Sequence, residues 1–123
     1  MSDELPALER VIDLPSMVAY AGATWDWHRM HYDRDWIDKA GLPGPVVDGQ
    51  MLGALMAEQL LDHFGSGAFI TRLSIRYRSL MLAGDAVRIE AKVSDGGDGL
   101  MHALQTLTVG GRIVAEGEAT VRL

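Results

Sequence analysis

Asp26, His28, His31 and Asp33 crowd into one short stretch of the chain, and Asp48 and Gly49 follow a little further on. A carboxylate and an imidazole at close spacing suit reversible addition of water to an activated double bond. One group takes a proton from water while another delivers one to carbon, and the roles reverse for elimination. Such chemistry also needs a fixed donor for the negative charge that develops on a carbonyl oxygen. Gly49 opens an apolar segment that has the pattern of a helix, so its N–H, with the helix dipole behind it, is the expected donor. His28 and His31 with Asp33 also have the residue types of a metal site, but no third strong ligand follows at motif spacing. No metal and no cofactor is expected.

These residues need positioning, and the periodicity of the chain says by what. Leu14 to Trp25 predicts a short helix, with Pro15 suited to its first turn and Ser16 able to cap. Asp26 to Gly49 contains Gly41-Leu42-Pro43-Gly44-Pro45, which no regular element tolerates, and is expected to be an ordered functional loop. Met51 to Phe64 is apolar on nearly every side and is ended by Gly65-Ser66-Gly67, so it is expected to be buried. The remainder alternates. Ala68 to Leu82 sets Leu73, Ile75 and Tyr77 against Arg72, Ser74, Arg76 and Arg78, a charged face that either meets solvent or contacts phosphates. Val87, Ile89, Ala91 and Val93 form the apolar side of the next strand, and Leu100–Val109 and Ile113–Leu123 supply two more. Four successive strands with one apolar face must be covered, and Met51–Phe64 is the only strongly apolar helix available. The fold class is therefore α+β, a curved antiparallel sheet wrapped around a central buried helix, the hot-dog arrangement. One domain over residues 1–123 is expected.

Composition narrows the function classes. Seventeen acidic against eleven basic residues give a net charge of −6, with no Lys/Arg run, which disfavours nucleic acid and anionic lipid as partners. The chain has no cysteine, which removes disulfides, thiol nucleophiles and thiolate metal sites from consideration. No leader core in Met1–Arg10 and no apolar run of membrane-spanning length is read, so a cytoplasmic protein is expected.

The wording of the motifs resembles a known family. Asp26-Trp27-His28-Arg29-Met30-His31-Tyr32-Asp33 is similar to the hydratase motif of MaoC-like and (R)-specific enoyl-CoA hydratases, in which a His follows an Asp by five positions. Leu42-Pro43-Gly44-Pro45-Val46-Val47-Asp48-Gly49 resembles that family's Pro-Gly run into the central helix, and Ala83-Gly84-Asp85 its turn after the first long strand. The resemblance implies hydration of 2-enoyl thioesters, or dehydration of 3-hydroxyacyl thioesters, carried on coenzyme A or an acyl carrier. It implies Asp26 and His31 as catalytic groups and Gly49 as the oxyanion donor, with Asp48 and His28 beside the substrate. Two positions depart from the pattern: His28 and Arg29 replace Asn and Pro, and Asp48 replaces the His that commonly precedes the glycine.

Two other readings stand beside this one. Hot-dog proteins include thioesterases, which place an acid on the central helix; Glu58 is the candidate. The departures at His28 and Asp48 also fit a catalytically weak acyl-binding subunit that pairs with a second, active hot-dog chain. Unpaired sheet edges make a homodimer or higher oligomer the expectation in every case. Trp25, Trp27 and Trp36 are expected either to anchor the loop on the core or to line an acyl pocket.

Overall fold

The computed structural model describes residues 2–123; Met1, at the tip of the segment read as lacking a leader core, lies outside them. The elements run β1 (Ser2–Glu4), β2 (Leu8–Val11), α1 (Leu14–Thr24), a 3-10 turn (Arg29–His31), α2 (Arg34–Lys39), α3 (Gly49–Phe64), β3 (Phe69–Tyr77), β4 (Ala86–Gly97), β5 (Leu100–Val109) and β6 (Arg112–Arg122). One antiparallel sheet of six strands has the order β1-β4-β5-β6-β3, with β2 also pairing β4. No helix is long and apolar enough to cross a membrane among the described residues.

The sheet wraps α3 because both surfaces are apolar at matching periods. Along β4, Val87, Ile89, Ala91 and Val93 are buried while Arg88, Glu90 and Lys92 are exposed, the alternation of a sheet with one covered face. On α3 the buried residues are Leu52, Leu55, Met56, Gln59 and Leu60, spaced to form one helical stripe. Met56 and Leu60 are fully shut from solvent, and truncating either to Ala would cost about 2–5 kcal/mol. Gly117 lets the helix settle on the strand, since a Cβ there would stand 3.3 Å from Met56 Sδ.

The core also carries a polar bracket. Gln105 donates to the Met56 carbonyl and to Gln59 Oε1, each at 2.9 Å, and Gln59 donates to the carbonyls of Ile89 at 2.9 Å and Pro6 at 3.1 Å. Two glutamines thus tie α3 to β4, β5 and the segment between β1 and β2.

One expectation needs correction. The segment from Asp26 to Gly49 is not irregular throughout: it holds the 3-10 turn and α2. Asp33 nucleates α2 locally, its Oδ1 accepting the Trp36 N–H at 3.2 Å, while Ile37 buries as the anchor. The four strands expected after the buried helix are β3 to β6; β1 and β2, ahead of α1, were not expected and add to the free side of β4.

Candidate active site

Each candidate residue is placed by a local device. The Asp26 N–H bonds to the Ala21 carbonyl at 3.1 Å, so the end of α1 fixes where this residue starts. The chain bends there at Trp25, whose φ of 59° is left-handed and costs a non-glycine residue about 1–2 kcal/mol. His28 Nδ1 accepts the Met30 N–H at 3.1 Å, capping the 3-10 turn that carries His31. The ring of His28 meets Trp36 edge-on at 5.2 Å. Strapped across this turn is Pro45–Val47: Val46 N donates to the Met30 carbonyl at 2.9 Å and Val47 N to the Met81 carbonyl at 2.8 Å.

That strap orients the imidazole. His31 is buried, and its Nδ1 lies 2.6 Å from the Val46 carbonyl oxygen. A carbonyl only accepts, so Nδ1 carries the proton and Nε2 presents its lone pair. Nε2 faces Asp48 Oδ2 at 4.0 Å. Donor atoms of Asp26, His31 and Asp48 all lie within 4.8 Å of one another.

Asp48 is also the N-cap of α3, its Oδ1 accepting the Gln50 N–H at 2.9 Å. Its Oδ2 is buried and has no hydrogen-bonding partner in the protein. Burial pushes the Asp48 carboxyl up from the ordinary carboxylate range, and a hydrogen bond with Asp48 holds the Asp26 carboxyl below it. The two carboxyls are thus pushed in opposite directions, Asp48 toward its neutral form and Asp26 toward its anion. In its neutral form Asp48 does not oppose charge developing beside Gly49.

Gly49 is the first residue of α3, where N–H groups lack acceptors within the helix. Tyr77 holds it down: the phenol donates to the Gly49 carbonyl at 2.6 Å, and a Cβ on Gly49 would stand 3.1 Å from the Tyr77 ring. Burial pushes the Tyr77 phenol up. Tyr77 was expected only as part of an apolar strand face; its pairing with Gly49 has no signal in the spacing.

Asp26, His28, His31, Asp48 and Gly49 all line one cavity of about 400 Å³, whose apolar wall includes Met30, Val47, Leu52 and Met81. No tryptophan lines it; Trp36 instead supports His28, and Trp27 packs edge-on against Tyr32 at 6.2 Å. Asp33 serves α2 and stays out of the cluster. Glu58 is elsewhere, paired with Arg10 at 2.7 Å and lining a separate recess with Leu5, Leu8 and His63. The acid of the thioesterase reading therefore lies outside the Asp26–His31 cavity.

Comparison with known proteins bears on the family and the fold. The mitochondrial 3-hydroxyacyl-[acyl-carrier-protein] dehydratase of Arabidopsis thaliana is 27% identical over 78 residues, covering 63% of this chain and 46% of that protein. The chain thus spans under half the length of that relative. Among solved structures, the (R)-hydratase from A. caviae involved in PHA biosynthesis superposes with a TM-score of 0.91 at 21% identity, over 99% of this chain and 95% of that one. A chain of the ChsH1-ChsH2 complex from Mycobacterium tuberculosis gives 0.93 at 23%, over 99% and 96%. At such identities these two establish the shared hot-dog fold. The model of the family described as MaoC like domain matches residues 5–116, and the chain belongs to that MaoC-like dehydratase family.

Proposed function

We propose that the protein is a hydro-lyase that reversibly hydrates 2-enoyl thioesters, or dehydrates 3-hydroxyacyl thioesters, on coenzyme A or an acyl carrier. The observation that carries this reading is the convergence of Asp26, His31 and Gly49 on one partly apolar cavity. Water sits between Asp26 and His31. His31 Nε2 takes one of its protons, and Asp26 accepts a hydrogen bond from the other. The water oxygen bonds to Cβ, and the displaced electron pair moves through Cα to the thioester oxygen, which the Gly49 N–H stabilises. The enolate then collapses and Cα takes the proton back from Nε2. Water is added across the double bond and the enzyme returns to its starting state. The ionised Asp26 also steadies the transient imidazolium.

The unpaired side of β3, which among the described residues bonds only to β6, supports association with another hot-dog chain, either a second copy or a distinct subunit. A cytoplasmic setting and a single domain belong to the same reading. Crotonyl-CoA hydration, followed by loss of enoyl-thioester absorbance, tests the proposal. Turnover that disappears in Asp26→Asn supports it. Equal turnover in the two proteins would overturn it.

A further inference from the structure

We infer that Asp26, His31 and Asp48 form a three-donor site for a borderline divalent cation of the zinc kind, which takes the place of the catalytic water and switches the site off. The sequence pointed away from a metal because His28, His31 and Asp33 lacked a further ligand at motif spacing. The fold discards two of those three and recruits a different pair around His31. The binding step needs no substrate, whereas the inhibition rests on the proposed hydratase reading.

Three observations carry the site. The donor atoms are one imidazole nitrogen and two carboxylate oxygens, all within 4.8 Å of one another. That is a zinc-like donor set with room for a further ligand. The side chain of His31 is 9% exposed and aims Nε2 at the cluster, while its other nitrogen bonds the Val46 carbonyl. Metal-binding imidazoles are held in this manner, the distal N–H fixing both ring orientation and the ligating nitrogen. Asp48 Oδ2 is buried without a partner in the protein, although its sister oxygen is bound to the Gln50 N–H. A cation would satisfy that oxygen directly.

Geometry and charge both permit it. Ligands about 2.0–2.2 Å from a tetrahedral zinc lie roughly 3.3–3.6 Å apart, against 4.0 Å between His31 Nε2 and Asp48 Oδ2. A contraction of under an ångström closes that pair, and the half-buried Asp26 carboxylate has solvent on one side and is free to follow. The N-terminus of α3 opposes a cation with an effective charge of about +0.5. Asp26 contributes a negative charge at shorter range and Asp48 a second when its proton gives way to the cation, so attraction prevails.

Equilibrium dialysis against Zn²⁺ alone, with the bound metal quantified, is the test. The wild-type chain should bind one ion. Asp48→Asn, which preserves the helix cap, and Asp26→Asn should each weaken binding at least about tenfold. His63→Gln and His102→Gln, which remove imidazoles remote from the cluster, should leave it unchanged. Binding that survives Asp48→Asn and Asp26→Asn but falls in the His63 or His102 variants would overturn the site, as would failure of the wild type to bind stoichiometrically. In parallel, Zn²⁺ should inhibit crotonyl-CoA hydration. A chain that binds zinc in the stated pattern yet hydrates nothing would retain the cation site and remove the hydratase reading instead.

Discussion

His31 donates its Nδ1 proton to the Val46 carbonyl, 2.6 Å away and fifteen residues along the chain. The bond leaves Nε2 facing Asp48 and the cavity, the nitrogen that the proposed reaction uses as proton acceptor. A long-range proton–nitrogen correlation spectrum should place the His31 proton on Nδ1. A proton found on Nε2 would contradict the assigned role. Replacing His31 with Gln should lower kcat by about 10²–10⁴-fold, the usual worth of a positioned proton-transfer group.

Tyr77 and Gly49 act as a unit. Gly49→Ala pushes a methyl against the ring 3.1 Å away, which strains the first turn of α3 by about 1–3 kcal/mol. It also displaces the N–H assigned to the thioester oxygen, so kcat should fall. Combining Gly49→Ala with Tyr77→Ala opens the space and should cost less than the sum of the single changes. Strict additivity, measured by denaturant unfolding, would show that the contact does not constrain the helix start.

How much of this was visible in the chain follows from range. The alternation of Val87, Ile89, Ala91 and Val93, and the apolar segment beginning at Met51, are local patterns that the fold preserves. β2 was not visible because Leu8–Val11 is short and mostly exposed, and only its pairing with β4 makes it a strand. α2 was hidden for a related reason. At Arg34–Lys39 it is too short for periodicity, and its signal is one capping Asp. At the site, the Asp26–His31 spacing was legible because one short turn joins them. Asp48 was noted as a departure, yet its approach to His31 depends on the strap through Val46, which no motif encodes. Tyr77 reaches Gly49 across 28 residues, and alternation alone assigns it only to a face.

The paired glutamines should behave as one polar bracket in the core. Gln59→Leu leaves the Pro6 and Ile89 carbonyls, and one amide contact of Gln105, without their donor or acceptor. The expected loss is about 1–3 kcal/mol, measured by denaturant unfolding. Because Pro6 sits between β1 and β2, hydrogen exchange should accelerate in that segment more than in β5 or β6. Uniform acceleration would mean that the bracket supports the whole sheet and has no special hold on the N-terminal strands.

Asp13 gives the clearest dependence on pH. Its Oδ1 accepts the Ser16 N–H at 2.9 Å at the start of α1, and hydrogen bonding to the Ser16 side chain first, and to that N–H second, holds its carboxyl below the ordinary range. A depressed folded-state value means that the charged form stabilises the fold. That contribution is fully present above the unfolded-state pKa of about 3.9 and is lost as pH falls through the folded value. Asp13→Asn retains a capping oxygen but carries no charge. Wild type should therefore melt above the variant at pH 6, and the gap should close on acidification. Thermal unfolding of both proteins across that range measures it; a gap independent of pH would show that the cap works through its hydrogen bond alone. The consequence extends to the active site, because α1 ends at the turn that delivers Asp26, whose N–H hangs from the Ala21 carbonyl. A frayed α1 should loosen Asp26 first, so hydration activity should decline in acid before the sheet unfolds.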